Sequence, residues 1–410
     1  MEDVDSFRAR ARAWLAEHMP RKATAGEDID RVARHRELQA RLADGGFAGI
    51  TFPLEYGGLG LSSAHVRAFN EEAAPYETPY LFGVTFGILA PTLLEFGTEQ
   101  QKQRHIPAML RGEEFWVQFL SEPTGGSDLA GAMTRATRDG DTWVLNGSKV
   151  WSTGAHYSDY AMCLARTDWD VPKHRGLTMF IVPIRSPGIT VEQIRLASGG
   201  AEFCQEFLDD VVVPADGVVG EVNDGWTVAS RLLVHERNAV GGVDSSLAGY
   251  STTRQRNLVF DLIELARRRG LADDAHVRQL VAGAYVDATV QSHLVARATT
   301  GFRTGAFPGP AGALLKLYVA TLGVRRSDIT MEIAGSASVG WTDDDADTGR
   351  RGELFIGRQG GAIAGGTNEM QRNVIAERVL GLPREQTVDR DVPFSQVLKN
   401  RSPLPRRNSS

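Results

Sequence analysis

Cysteine is nearly absent from this 410-residue chain. Cys163 and Cys204 are too few for a disulfide framework and lack metal-ligand spacing, so both read as small buried hydrophobes. No apolar run is long enough to span a bilayer. The N-terminus, Met1-Glu2-Asp3-Val4-Asp5, is acidic and leads into an amphipathic pattern, without the basic start and apolar run of a secretory signal. Positive charge is not in excess either. A formal net charge of -6 provides no basic field of the kind that draws in nucleic acid or anionic lipid. These absences leave a cytoplasmic globular protein, and a length of 410 residues with 42% hydrophobic content suggests two or three domains, each with a core.

What is present changes its hydrophobic period twice. Up to about Arg111 apolar residues recur at helical spacing, as in Phe7, Ala11, Trp14 and Leu15, then Val32, Leu38 and Leu42 before a stop at Gly45-Gly46. Thr98-Glu99-Gln100-Gln101 fits a capping box that opens another helix. From Glu114 onward, short runs rich in Val, Phe, Trp and Thr alternate with turn signals, and Asp139-Gly140 and Asn146-Gly147 predict hairpin turns. Further strands are expected at Tyr160 to Ala165, Leu177 to Val182, Ile189 to Ile194 and Phe203 to Val213. Helical spacing returns after Gly225, around Trp226 to Val240, Gln255 to Arg269, His276 to Thr299, Ala311 to Ala334 and Thr367 to Leu380. The expected fold class is therefore α+β. A helical domain over 1–113 precedes an antiparallel β domain over 114–222 and a helical bundle over 223–385, with a mobile tail over 386–410.

Two segments of the β region have functional groups in suggestive places. Phe119-Leu120-Ser121-Glu122-Pro123-Thr124-Gly125-Gly126-Ser127-Asp128 ends a strand in a turn rich in N–H groups and hydroxyls. Such a turn suits a diphosphate or a heteroaromatic edge, although taken alone an ordinary polar turn is the commoner reason for such a sequence. Lys149-Val150-Trp151-Ser152-Thr153-Gly154 puts an aromatic platform two residues from a hydroxyl, or simply a tryptophan in a core.

Together these segments resemble the flavin-binding β domain of acyl-CoA dehydrogenases. The resemblance extends to Pro53-Leu54-Glu55-Tyr56-Gly57-Gly58-Leu59-Gly60, to Glu221-Val222-Asn223-Asp224-Gly225-Trp226, and to Ala364-Gly365-Gly366-Thr367-Asn368-Glu369-Met370-Gln371-Arg372. It covers roughly Phe7 to Glu385, and it makes the expected architecture that family's: a helical domain, an antiparallel β-barrel and a four-helix bundle. It implies FAD as cofactor, with Leu120 and Ser121 at the isoalloxazine edge and Ser127 near the diphosphate or the thioester. Trp151 would flank the ring, Thr153 would lie near N5, and Thr367 and Glu369 near the diphosphate and ribose. Thr367 also reads as a helix N-cap, which is compatible both with that role and with a purely structural one.

Three departures from the family pattern stand out. Ala266-Arg267-Arg268-Arg269-Gly270 replaces the usual Arg-x-x-Phe-Gly, and Ala334-Gly335-Ser336-Ala337-Ser338-Val339-Gly340 matches the adenine-side loop only loosely. Gly365 occupies the place where the family commonly carries its catalytic glutamate.

The missing base directs attention to the helix starting at Trp226, whose stripe Trp226, Ala229, Leu233, Glu236, Val240 has a carboxylate in its seam. A buried glutamate beside Arg237 is either a structural ion pair or a base with its pKa raised by desolvation. The resemblance favours the base, because one subset of the family, including isovaleryl-CoA and long-chain enzymes, carries it on this helix as a Glu-Arg pair. His235 reads as an ordinary helix residue, since no second histidine follows four residues on.

The implied reaction is α,β-dehydrogenation of an acyl-CoA to its trans-2-enoyl thioester. Glu236 takes the α-proton, Arg237 lies beside the substrate, and the Gly365 N–H helps polarise the thioester carbonyl. The implied partners are an electron-transfer flavoprotein and either a homo-oligomer or a related subunit. Two other readings stay open: a flavin-poor subunit of a heteromeric enzyme, and a flavin oxidase or monooxygenase acting on a substrate that is not a CoA ester.

Overall fold

The structure, a computed structural model, describes residues 2–22, 30–241, 258–340, 346–384, 386–387 and 389–397. The N-terminal region is built from α1 (Val4–His18), α2 (Arg31–Asp44), α3 (Ser63–Ala73), α4 (Ala90–Phe96) and α5 (Glu99–Leu110). Phe7, Ala11 and Leu15, spaced for one helical face, are fully buried. At the start of α5 the Thr98 hydroxyl accepts from Gln101 N at 3.2 Å while Thr98 N donates to Gln101 Oε1 at 3.0 Å, the reciprocal cap expected from the sequence.

The middle region is one eight-stranded sheet: β1 (Trp116–Phe119), β2 (Arg135–Asp139), β3 (Thr142–Thr153), β4 (Tyr160–Arg166), β5 (Leu177–Pro183), β6 (Ile189–Ile194), β7 (Phe203–Pro214) and β8 (Val218–Val219). The order is β6-β7-β3-β2-β4-β5-β8, with β1 on β4. The expected antiparallel β-barrel is in fact a mixed sheet, because β1 and β2 both pair parallel to β4. Asp139-Gly140 makes its hairpin, with Gly140 at φ 56° and Asp139 paired with Thr142. Asn146-Gly147 does not. It lies within β3 at a bulge against β7, where a Cβ on Gly147 would come within 2.6 Å of Thr134 Oγ1.

The C-terminal helices are α6 (Gly225–Gly241), α7 (Leu258–Arg268), α8 (Ala275–Thr304), α9 (Gly312–Ala334), α10 (Ala346–Gly357), α11 (Gly360–Ile363) and α12 (Asn368–Val374). Helix α10 falls where no helix was expected, and the expected start at Gln255 lies outside the described residues. Helix α9 packs on α6, α7, α8, α10, α11 and α12. The tail expected from 386 onward is in part a docked segment: Phe394 N donates to Val171 O at 2.9 Å and its ring is 3% exposed.

Candidate active site

Strand β1 runs out of the core into the Ser121 to Asp128 loop, and buried charges fasten that loop from beneath. The fully buried Lys149 ammonium donates to Glu122 Oε1 (3.0 Å), Leu120 O (3.1 Å) and Leu164 O (2.6 Å). Glu122 also accepts from Met133 N (2.6 Å) and Thr134 N (2.8 Å). Burial raises the Glu122 carboxyl, but Lys149 and these hydrogen bonds outweigh it and hold the pKa below the ordinary value. Sequence reading missed this clasp, although one charge of each sign stands in the two motifs it joins.

The second segment lies beside the first, since Val150 N donates to Ser121 O at 2.9 Å. At the β3 bulge Trp151 is held at φ 68°, a left-handed conformation costing a bulky residue about 1–3 kcal/mol. It is nevertheless 55% exposed. Thr153 and Ser127 are exposed on the same domain. Beneath them the Ser152 hydroxyl donates to Glu206 Oε2 at 3.0 Å, both residues being buried. A strained, open indole with nearby hydroxyls fits a planar ring-bearing cofactor, because an aromatic kept out of the core is pre-arranged for stacking.

Glu236 lies three turns along α6, beyond the buried Val228, Ala229 and Leu232. The residue is half-buried, and burial of its carboxyl raises its pKa against the opposing charge of Arg237, the neighbouring Gln118 amide and the charge of Lys316. Gln118 belongs to β1, so its amide brings the strand that leads into Leu120 and Ser121 beside Glu236 of α6. Lys316 on α9 is fully buried, and its ammonium has no hydrogen-bond partner among the described residues. Burial lowers its pKa against the charges of Glu236 and Glu369, so α6 and α12 converge on one lysine. Burial likewise lowers Arg237 against the charge of Glu236. His235 binds Glu95 Oε1 at 3.0 Å, as befits an ordinary helix residue. Val240 has no described side chain.

Gly365 and Gly366 lie at φ 65° and 84°, so the turn into α12 favours glycine at both positions. Gln371 Nε2 clamps the turn by donating to Gly365 O (3.0 Å) and Gly366 O (2.9 Å). Thr367 caps α12 through Met370 N at 3.2 Å, and Glu369 is exposed beside Arg372. The two departing segments also meet: a Cβ on Gly335 would lie 3.6 Å from an Arg269 guanidinium nitrogen. A surface cavity of about 440 Å³ lined by Glu2, Arg10, Leu54, Leu59, Gly60 and Leu61 contains none of these site residues.

Residues 1–113, 118–211 and 223–380 match the N-terminal, middle and C-terminal domain models of acyl-CoA dehydrogenases. A relative from Mycobacterium tuberculosis, acyl-CoA dehydrogenase IpdE1, is 38% identical over 400 residues, covering 94% of this chain and 99% of its own. The chain belongs to the acyl-CoA dehydrogenase family. FAD is the cofactor of this family of oxidoreductases. Among solved structures, the Tcur3481-Tcur3483 steroid ACAD superposes with a TM-score of 0.77 at 29% identity, covering 94% of this chain and 99% of that one. The ChsE4-ChsE5 complex from Mycobacterium tuberculosis does so at 0.73 and 27%, covering 94% and 99%. No helix among the described residues is long and apolar enough to cross a membrane.

Proposed function

We propose that this acyl-CoA dehydrogenase removes the α-proton of an acyl-CoA thioester with Glu236 and yields the trans-2-enoyl thioester. The observation that supports this reading is the Glu236 carboxyl, which burial raises above its ordinary pKa, on α6 beside Gln118 of the strand leading into the Leu120 and Ser121 segment. A carboxylate deprived of water is a stronger base, and three neighbours keep it ionised enough to act. Gly365 brings no competing carboxylate, and its N–H polarises the thioester carbonyl, which acidifies the α-carbon. Leu120, Ser121, Trp151 and Thr153 hold the ring of FAD, Ser127, Thr367 and Glu369 its diphosphate and ribose side, and Arg237 the substrate. FAD, when bound, supplies the acceptor for the β-hydrogen as hydride, and an electron-transfer flavoprotein reoxidises it.

The acyl group is bulky and contains rings. A glycine at 365 leaves the room a glutamate side chain would fill, and steroid is the substrate class named for the Tcur3481-Tcur3483 neighbour. A related subunit is the preferred partner. Both of these neighbours are two-protein complexes, and Tyr285, Val286 and Val290 on α8 are 62%, 57% and 45% exposed, an apolar strip suited to a subunit contact.

The test is anaerobic bleaching of the flavin by an accepted acyl-CoA in wild type and in Glu236→Gln. The variant is expected to bleach about 10³-fold more slowly, the middle of the range for loss of a general base, while retaining FAD. Bleaching at the wild-type rate would show that the proton leaves by another group.

A further inference from the structure

Residues 389–397 cross the β domain beside the loop that bears Ser127. Pro393 bridges Pro172, Ser395 N donates to Trp169 O at 2.7 Å, and Ser395 Oγ bonds Asp170 Oδ1 at 3.0 Å. Two cations lie between this segment and the loop. The fully buried Arg166 guanidinium donates to Ala130 O (2.6 Å), Ala132 O (3.1 Å) and Lys173 O (3.2 Å), and its open face is covered by the Phe394 ring at 3.5 Å. The Lys173 ammonium bridges Asp128 Oδ1 (3.1 Å) and Asp389 Oδ2 (2.9 Å). Asp128, Ala130 and Ala132 directly continue the Ser121 to Asp128 loop. Each cation therefore grips the loop with one side and the C-terminal segment with the other.

A guanidinium bonded to three carbonyls keeps its charge in a buried setting only while something better than hydrocarbon faces it. The face of an aromatic ring does this, and it also keeps water from competing for the three carbonyls. Lys173 without Asp389 retains a single anionic partner and regains the freedom of a flexible side chain. Detaching the segment thus loosens the loop exactly where Ser127 leaves it, without touching the strands beneath.

We infer that the C-terminal segment is a positioning element of the cofactor and thioester loop, with Phe394 acting through Arg166 and Asp389 through Lys173 and Asp128. The inference rests on the reading of the Ser127 loop as the ligand loop. Its docking sets how tightly the site holds FAD and the CoA thioester, and leaves the proton transfer at Glu236 alone.

The test measures the FAD dissociation constant of the reconstituted full-length enzyme by flavin fluorescence, together with KM and kcat for an accepted acyl-CoA. Phe394→Ala is expected to raise the FAD dissociation constant or KM about tenfold with kcat within about twofold, and Phe394→Tyr, which keeps the ring face, to restore both. Asp389→Asn alters one partly exposed carboxylate and should raise the same constants about threefold, so it decides the matter if Phe394→Ala does not fold. Unchanged constants in a folded Phe394→Ala, or in Asp389→Asn where that variant decides, overturn the inference. Ser127→Ala separates the two claims. If it moves neither constant, the loop is not the ligand loop and the inference falls with that reading. If it moves them and the segment variants do not, the inference alone fails.

Discussion

Glu122 in the β domain and Glu236 at the domain boundary are both carboxylates whose pKa burial pushes upward, and the chain treats them in opposite ways. Glu122 accepts two backbone N–H bonds and the Lys149 ammonium, and its pKa is lowered in spite of burial. Glu236 has only the nearby Gln118 amide and the charges of Arg237 and Lys316 among the described residues, and burial prevails. The ammonium that could serve Glu236 as Lys149 serves Glu122 is Lys316, which makes no hydrogen bond among the described residues. The number of donors aimed at a carboxylate thus sets the direction of its shift: enough donors hold it ionised, and too few let burial prevail.

That contrast predicts opposite responses to the same substitution. Glu236→Gln should abolish most of the flavin bleaching by acyl-CoA, by the factor given above, yet melt no lower than wild type, because it removes a charge the fold stabilises poorly. In wild type the bleaching rate should rise with pH through the raised Glu236 pKa, since only the ionised form accepts the proton, and the variant should lose that limb. Glu122→Gln should lower stability by about 3 kcal/mol, because it strands a buried lysine, as read from urea unfolding midpoints. A Glu122→Gln protein as stable as wild type, or a Glu236→Gln protein that melts well below it, would erase the distinction.

The parts of the molecule readable from sequence are those governed by local rules. The strands from Tyr160 to Pro214 and the helices at Phe7, Thr98 and Trp226 follow from period and caps, and they are found within a residue or two of expectation. Asn146-Gly147 failed because the residues that favour a hairpin also favour a bulge, and pairing with β7 decided between them. The two parallel pairings of β4 are non-local, and no period encodes them. At the site, Glu236 was legible as a charge in an apolar seam. Gln118 and Lys316 were not, because each sits in an ordinary strand or helix pattern and acquires meaning only through a neighbour distant in sequence. Phe394 was hidden by its tail-like surroundings: its partner Arg166 is an arginine with no sequence sign that three carbonyls and a ring would bury it.

A third carboxylate tests the donor rule between these extremes. Glu206 is fully buried, accepts one hydrogen bond from Ser152, and leaves its Oε1 without a partner among the described residues. Burial pushes its pKa from 4.5 to about 7, with Ser152 and the Lys149 charge opposing. The folded protein therefore holds this proton more tightly than the unfolded chain does. Its contribution to stability is complete below about pH 4.5 and is lost as the pH rises through about 7. Glu206→Gln keeps an acceptor for Ser152 and has no proton to lose, so it should unfold at the wild-type urea midpoint at pH 5. At pH 8 it should be more stable than wild type by about 3 kcal/mol. Equal midpoints at both pH values would mean that Lys149, already shared by Glu122 and two carbonyls, holds Glu206 ionised as well, and that one cation satisfies more carboxylate than its hydrogen bonds suggest.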